Sequence, residues 1–161
     1  GLLLEKSLTE NLTLSVLHRY AKPLIDRKAE ARALEQAIKD FDIRVPSRDV
    51  QVGNLSGGNQ QKLLLAKTML ADPEVVVIDE PTRGIDIGTK QQIYRLIHRL
   101  AEEGRSIIVI SSEMPELIGL CDRVYVMHGG RISGELQGKE VTEDNVIRLA
   151  TGLGGHREDA A

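Results

Sequence analysis

The fold is decided by residues 54–62, which read NLSGGNQQK, and by residues 75–81, which read VVVIDEP. The first stretch places a hydroxyl and a glycine pair at the start of a predicted helix, where unpaired N–H groups and the helix dipole favour a phosphate. The second places adjacent carboxylates at the carboxyl end of a β-branched strand, the edge where α/β sheets hold their ligands. Together they predict an α/β protein with a phosphate and magnesium site.

The composition is typical of one globular domain, since 161 residues are enough to bury a core. The net charge of −3 argues against nucleic acid as a partner, because that would require a basic surface. The single cysteine, Cys121, permits no internal disulfide and fits a reducing compartment. The apolar runs are far shorter than the roughly 20 residues of a spanning helix. We expect a soluble protein that forms part of a longer one, because it starts at Gly1 without a turn or cap.

The order of the predicted elements separates a helical part from an α/β part. Residues 8–20 predict a helix capped by Thr9, although apolar residues there also alternate as in a strand. Residues 75–78 predict a strand covered on both faces of a parallel sheet. The other predicted elements are helices over 26–41, 59–70, after Asp86, from 111–115 and over 142–150, and strands over 106–110, 124–127 and 131–136. We therefore predict a helical subdomain over 1–72, an α/β core over 73–152 and a flexible tail over 153–161.

The chain resembles the ATP-binding cassette (ABC) ATPases over nearly its whole length. Residues 55–60, LSGGNQ, are similar to the signature motif of that family, and residues 75–80, VVVIDE, are similar to its Walker B strand. Residues 82–86, TRGID, stand in the place of its D-loop. The resemblance implies a P-loop NTPase fold of ABC type that is incomplete at the N-terminus. It also implies an active site divided between two cassettes.

The resemblance assigns roles to the residues of these motifs. Asp79 would hold Mg²⁺ through water, and Glu80 would orient and deprotonate the attacking water. Asp86 would touch the site of the partner cassette, although a plain helix cap explains the same residue equally well. The residues that would close on the γ-phosphate of ATP held by the partner are Leu55, Ser56, Gly57, Gly58, Asn59 and Gln60. A glycine-rich turn with a serine cap and an acidic turn remain the simpler alternatives for these motifs.

Two departures from the family pattern bear on catalysis. The resemblance makes Ser112 a candidate catalytic residue, because it stands where the family usually has a histidine that contacts the γ-phosphate. A serine supplies neither the charge nor the reach of an imidazole, so full catalytic competence is not expected of this position. The chain also lacks a G-x-x-x-x-G-K-[S/T] loop, since residues 84–90, GIDIGTK, have the wrong glycine spacing. The resemblance places the missing loop upstream of Gly1. We therefore expect this segment alone to be inactive as an ATPase.

The longer strings NLSGGNQQK, DEPTRGID and SSEMPEL resemble the second cassette of double-cassette monosaccharide importers of bacteria, which carry ribose, galactose or xylose. Serine in the histidine position is shared by that branch. The resemblance implies ATP and Mg²⁺ as cofactors and a place on the cytoplasmic face of the inner membrane. The implied partners are the N-terminal cassette of the same protein or a second copy, transmembrane permease subunits and, indirectly, a periplasmic sugar-binding protein.

Three other functions remain open at this point. The cassette could be catalytically inert and complete a composite ATP site through its signature surface alone. It could be an ABC ATPase of DNA repair or translation, for which a basic face or a long heptad insertion is expected and is not found in the sequence. It could also be an unrelated α/β domain with chance glycines.

Overall fold

The computed structural model describes residues 1–152, which pack as two compact units. The first unit is Gly1–Ile108, and the second is Val109–Ala161, of which the residues up to Gly152 are described. The predicted flexible tail, 153–161, lies outside the described residues. This division reflects only which residues pack together. It does not test the predicted functional division at residue 72, which stays a prediction.

The described residues contain α-helices and strands in the predicted alternation. The first unit holds α1 (Leu8–Thr13), α2 (Arg27–Asp40), α3 (Gly57–Met69), β1 (Val75–Asp79) and α4 (Ile87–Glu102). Then follow β2 (Ser106–Ile110), α5 (Met114–Leu120), β3 (Arg123–His128), β4 (Arg131–Gln137) and α6 (Glu143–Ala150). Short 3₁₀ helices cover Leu14–Arg19, Val52–Asn54 and Gly138–Glu140. β1 pairs with β2, and β3 pairs antiparallel with β4.

The first helix differs from its prediction in both its start and its length. Ser7, not Thr9, is the N-cap: its hydroxyl accepts from the Glu10 N–H at 3.2 Å, and the Glu10 carboxylate accepts from the Ser7 N–H at 3.0 Å. This reciprocal pair is a capping box and fixes the first turn. The helix does not run to residue 20, because α1 ends at Thr13 and the following 3₁₀ segment is broken at Val16, which has non-helical dihedrals.

The second helix is confirmed at both ends, and it shares a hydrophobic core with the third helix. Asp26 caps α2 by accepting from the Ala29 N–H at 2.9 Å, and Phe41 is the residue at which the helix ends. The hydrophobic core beneath it combines residues of α1, α2 and α3 with the connection between α2 and α3: Leu8, Leu12, Leu34, Ala37, Ile43, Val52, Leu55, Leu63 and Ala66. Leu55 is part of this core, so the residue before the exposed start of α3 is held in place by packing.

β1 is covered on one face only by the described residues. Val76 and Ile78 are buried, whereas Val75 and Val77 are 55% and 60% exposed. Successive side chains of a strand point to opposite faces, so the exposed residues share one face. Ile108 of β2 is also exposed, at 52%. The prediction of a strand covered on both faces is therefore wrong for this structure, in which the described residues supply a cover for one face.

The remaining predictions of secondary structure are largely confirmed. Asp86 caps α4, whose buried face contains four of the five predicted residues, Ile93, Leu96, Ile97 and Leu100, while Ala101 is exposed. In the second unit, the turn between β3 and β4 is made by Gly129 and Gly130, which have φ values of 55° and 77°. Such positive φ values favour glycine. Cys121 ends α5 and packs against the core of this unit, and burial raises the pKa of its thiol.

Candidate functional site

The start of α3 is an exposed tip formed by Ser56 and Gly57. Ser56 is the N-cap, with extended backbone dihedrals, and its hydroxyl oxygen accepts from the Asn59 backbone N–H at 3.4 Å and from the Asn59 side-chain amide at 3.0 Å. Both contacts use the oxygen as an acceptor, so the O–H hydrogen can still donate to a ligand. The first N–H groups of the helix have no intrahelical partner by their position. The tip therefore offers donors to an anion.

Three other predicted residues hold this tip rather than forming its surface. Leu55 lies in the core at 7% exposure, and its carbonyl accepts from the Gln60 side-chain amide at 3.0 Å. The Asn59 side-chain oxygen accepts from the Arg44 backbone N–H at 2.9 Å, which ties the tip to the connection that follows α2. Of the signature residues, Ser56 and Gly57 are therefore exposed for contact, and Leu55, Asn59 and Gln60 fix their position.

Gly58 is buried at the closest approach of α3 and α4. A Cβ at this position would lie 2.2 Å from Cγ2 of Thr89, which is far inside van der Waals contact. A Cβ at Gly57 would meet its nearest atom, the Gly84 carbonyl oxygen, at 3.9 Å. Packing alone thus explains why residue 58 has no side chain, whereas residue 57 has room for one. A role of Gly58 in binding phosphate stays a prediction.

The D-loop residues lie beside the signature tip. Asp86 is exposed and caps α4 by accepting from the Thr89 N–H at 2.9 Å. The backbone N–H and the hydroxyl of Thr89 lower the pKa of the Asp86 carboxyl, which is therefore an anion at neutral pH. Because Thr89 also packs against Gly58, one residue joins the two motifs. The structure confirms the helix-cap role of Asp86, and a contact with a partner cassette stays a prediction.

The two acidic residues end β1 in different ways. Asp79 is the last residue of the strand and is exposed on the same face as Val75 and Val77. Glu80 lies outside the strand, with a φ of 47°, so the alternation of side chains along the strand does not set its direction. A left-handed backbone is uncommon for a long side chain and costs roughly 1–3 kcal/mol. Such strain occurs often at functional sites, which is consistent with the predicted role of Glu80.

A magnesium ion would fit these acids only in a particular way. Among residues 1–152, no group of three or more histidine, cysteine, aspartate or glutamate side chains could enclose a metal. Mg²⁺ prefers oxygen ligands, keeps several waters and commonly binds one or two carboxylates together with substrate phosphates. The exposed Asp79 carboxylate suits binding of this kind, in which the phosphates of a nucleotide complete the ligands of the ion. The described part of the chain does not by itself supply a cage for the ion.

Ser112 belongs to the second unit and lies between β2 and α5. It is exposed, and the neighbouring Ser111 hydroxyl accepts from the Glu113 N–H at 3.0 Å, which shapes the approach to α5. These contacts concern the local turn only. A catalytic role of Ser112 stays a prediction.

Lys62 is a residue that the sequence analysis quoted but did not interpret. It lies four residues after Gly58 and is 3% exposed, although lysine is almost never buried without partners. Its ammonium donates to the Gln92 side-chain oxygen at 2.7 Å and to the Asp42 carbonyl at 2.8 Å. The available signal was a charged residue four positions after Gly58, a spacing that places both residues on one face of the helix. The acceptors lie 20 and 30 residues away in the chain, so the sequence pattern did not reveal them.

The family model described as "ABC transporter" matches residues 2–83, just over half of the chain. The chain belongs to the ABC transporter family. Among curated relatives, it is 48% identical over 154 residues to a ribose import ATP-binding protein, RbsA, of Yersinia pestis, and 46% identical over 155 residues to one of Clostridium perfringens. Both alignments cover 95% of this chain. The chain spans 30% and 31%, respectively, of the length of these relatives.

Solved structures of ABC cassettes have the same fold. The ATP-binding cassette MJ1267 aligns with a TM-score of 0.76 at 21% identity, over 91% of this chain and 63% of that one. The dimeric post-hydrolysis state of the cassette MJ0796 bound to ADP and Pi aligns with a TM-score of 0.73 at 20% identity, over 85% of this chain and 59% of that one. The chain therefore has the α/β fold of an ABC-type P-loop NTPase. None of the helices between residues 1 and 152 has the length and apolar character needed to cross a bilayer.

Proposed function

We propose that the chain is part of one cassette in the ATP-hydrolysing protein of a bacterial monosaccharide importer. The names of the relatives, which are ribose import ATP-binding proteins at 46–48% identity, support this function. Since the chain spans about 30% of their length, it would contribute the signature, Walker B and D-loop parts of one cassette. The phosphate loop of that cassette would lie in another part of the protein.

The packing of α3 against α4 close to their two exposed starts carries this proposal. Ser56 and Gly57 at the start of α3 and Asp86 at the start of α4 are held together by the packing of Thr89 on Gly58. Donors for a phosphate and a carboxylate for a partner surface are thus exposed side by side. A helix start that offers N–H groups and a hydroxyl is suited to the γ-phosphate of a nucleotide bound by another cassette.

In this function, each exposed group would have a separate task. The Ser56 hydroxyl and the first N–H groups of α3 would donate to the γ-phosphate, so that closure of the two cassettes depends on ATP. Glu80 would orient a water molecule and accept its proton during attack. Asp79 would hold Mg²⁺ through water, and the ion would neutralise phosphate charge. Loss of the γ-phosphate would remove the acceptor for Ser56 and allow the cassettes to separate.

The proposed partners follow from this arrangement. The nucleotide would be held by the N-terminal cassette of the same protein or by a second copy. The opening and closing of the cassettes would drive transmembrane permease subunits, with the protein bound peripherally at the cytoplasmic face of the inner membrane. A periplasmic sugar-binding protein would deliver the sugar to the permease, so the sugar would not contact the described residues. The functional division of the chain at residue 72 is part of the same proposal.

Gly57→Ala tests the proposed function with little risk to the fold. Its Cβ would have no neighbour closer than 3.9 Å, and alanine favours a helix over glycine by about 1 kcal/mol. We expect the complete protein with its permease to keep its thermal stability. Its transport-coupled ATPase rate should fall at least about tenfold, because the methyl group blocks the close approach of a phosphate. Gly119→Ala in α5 is the matched control, since its Cβ has no neighbour within 4 Å.

The two outcomes separate clearly. A lower rate in Gly57→Ala alone supports a phosphate contact at the tip of α3. Equal rates in both variants and in the unchanged protein would contradict the proposed function.

A catalytically inert cassette is a second candidate, and one observation favours it. Ser112 replaces the histidine that the family pattern places after β2, so a catalytic group is absent from that position. In this case the signature surface would still close on a nucleotide bound elsewhere, and Glu80 would not accept a proton.

A further inference from the structure

Lys62 is a buried cation with a complete set of acceptors. Its ammonium group has three hydrogens, and it donates to the Asp42 carbonyl at 2.8 Å, to the Asp42 carboxylate at 3.3 Å and to the Gln92 side-chain oxygen at 2.7 Å. The side chain is 4% exposed, while that of Asp42 is 66% exposed. The three contacts join α3 to Asp42, two residues after the end of α2, and to Gln92 in the first half of α4.

The contact of Lys62 with Gln92 is the second of two levels at which α3 meets α4. The first level is Gly58 against Thr89, close to both helix starts. Lys62 follows Gly58 by four residues and Gln92 follows Thr89 by three, so each pair lies on one face of its helix. Two contacts, about one turn apart, resist rotation of one helix against the other in a way that a single contact does not.

The end of α2 completes the junction. Asp42 has a φ of 47°, a left-handed conformation that aspartate tolerates better than most residues, and the turn it makes points its carbonyl at Lys62. Arg99 of α4 donates to the carbonyl of Asp40, also at this helix end. Cations near the last carbonyls of a helix are favoured by its dipole. α3 and α4 therefore each bind the same helix end through one cation.

We propose that Lys62 is a positioning residue that sets the distance between the signature tip and the D-loop tip. By joining α3 to α4 behind Gly58, it fixes Ser56 and Asp86 relative to each other before any partner cassette arrives. This inference rests on the proposed function, because it matters for ATP hydrolysis only if both tips meet the same nucleotide site. The effect belongs to the closed, reacting state, in which a small misplacement lowers the rate.

Lys62 could instead contribute only to the stability of the fold. A suitable substitution separates this structural role from the positioning role. Lys62→Met removes only the cation of the pair. Because the Asp42 side chain is 66% exposed, its carboxylate stays hydrated and is not left as a buried unpaired charge. Lys62→Met keeps the length of the side chain and removes the three hydrogen bonds. A structural role predicts a change in stability, whereas a positioning role predicts a change in kcat for protein that remains folded.

The test measures kcat and KM for ATP, together with thermal unfolding, in the complete protein reconstituted with its permease. We expect Lys62→Met to lower kcat at least about tenfold and to change KM by less than about twofold, because ATP is first bound by the other cassette. Gln92→Leu should lower kcat to a similar degree. The double variant should be no slower than the slower single variant, since both changes break the same hydrogen bond between Lys62 and Gln92. Gln92→Glu should keep the rate, because a carboxylate accepts from the ammonium at least as well.

The matched control is Lys67→Met, a lysine of the same helix that donates to the Gly1 carbonyl at 3.0 Å and not to α4. It should leave kcat unchanged. Gln92 is half-buried, so Gln92→Leu remains informative if Lys62→Met does not fold. Amide hydrogen exchange adds an independent measurement: residues 56–60 should exchange faster in Lys62→Met and Gln92→Leu and not in Lys67→Met.

Several results would overturn the inference. These are an unchanged kcat in folded Lys62→Met, additive losses in the double variant, or a loss of kcat that follows the unfolded fraction. Gly57→Ala, measured in the same assay, separates this inference from the proposed function. If Gly57→Ala lowers the rate and Lys62→Met does not, only the positioning role is wrong. If neither lowers the rate, the proposed function is contradicted and the positioning role with it.

Discussion

The junction of α3 and α4 and the end of β1 differ in how completely the chain builds them. At the junction, Gly58 packs on Thr89, Asp86 caps α4, and Lys62 satisfies all its hydrogens within the first unit. At the end of β1, Asp79 lies on the face that the described residues leave exposed, and residues 1–152 contain no group of three or more histidine, cysteine, aspartate or glutamate side chains that could hold a metal. The part of the site that would close on a nucleotide is thus self-supporting, whereas the part that would perform hydrolysis is not.

This difference fits a site that is divided between separate parts. A surface that must close on a ligand held elsewhere has to be rigid before the ligand arrives, because ordering it on closure would cost free energy. A pair of acids that acts on bound water and metal has to be completed by the phosphates themselves. Variants at the two places should therefore differ. Changes to the acids of β1 should affect catalysis with little effect on stability, whereas overpacking Gly58 at the junction should lower stability, and the loss of the Lys62 contacts should lower kcat in protein that remains folded.

The largest effect should come from Glu80→Gln in the complete protein with its permease. Removing the general base lowers kcat by roughly 10²–10⁴-fold if Glu80 accepts the proton of the attacking water. The amide is nearly the same size, so thermal stability should stay close to that of the unchanged protein. An ATPase assay with a binding assay for ATP checks this, and unchanged turnover would favour the catalytically inert cassette.

A stability effect of about 2–3 kcal/mol should follow from Gly58→Ala, because the added Cβ overpacks the contact with Thr89. Thr89→Ser keeps the hydroxyl and removes the Cγ2 atom, which would lie 2.2 Å from that Cβ. Denaturant unfolding should show that the double variant recovers most of the loss. Equal stability of Gly58→Ala with and without Thr89→Ser would show that the methyl group of Thr89 is not what excludes a side chain at residue 58.

The two faces of β1 allow a smaller and more local comparison. Val76→Ala should destabilise the 161-residue chain by about 1.5 kcal/mol, because it removes two buried methyl groups, whereas Val77→Ala, at an exposed position, should change stability by less than about 0.5 kcal/mol. Denaturant unfolding of both variants measures the difference. If Val77→Ala costs as much as Val76→Ala in the complete protein, another part of that protein covers this face.

The smallest effect should be the pH dependence of the cap on α4. The hydrogen bond from Thr89 lowers the pKa of Asp86 in the folded chain below the usual value of 3.8. A lowered pKa means that the charged form stabilises the fold above the unfolded pKa, and that this contribution is lost as the pH falls through the folded pKa. The stability difference between the unchanged protein and Asp86→Ala should therefore shrink below about pH 4 in unfolding curves. A difference independent of pH would contradict the charged cap.

The sequence predicted most elements because their ends carry local signals. Asp26, Ser56, Asp86 and Thr142 each bond to the backbone N–H three residues later, a contact that depends on a short stretch of chain. The start of α1 was misplaced because Thr9 and Ser7 are both good caps, and only the reciprocal bond with Glu10 decides between them. Local chemistry thus fixed the elements and left one start ambiguous.

The site was predicted less completely, since its packing joins distant residues. The sequence identified the glycine pair, yet it gave both glycines one role, and only the position of Thr89 separates the buried Gly58 from the exposed Gly57. Lys62 was overlooked because Asp42 and Gln92 come from other elements. The backbone of Glu80 could not be inferred either, as nothing in Asp-Glu-Pro requires a left-handed residue.

The uncovered face of β1 and β2 also determines how the chain behaves at high concentration. A ribbon of two strands that exposes Val75, Val77 and Ile108 to water offers an apolar surface together with unpaired backbone groups at its edges. Separate molecules of this polypeptide will reduce that exposure by pairing with one another. Preparations of the 161-residue chain should therefore show light scattering that grows with protein concentration, and the proposed complete protein, in which another part would cover this face, should not.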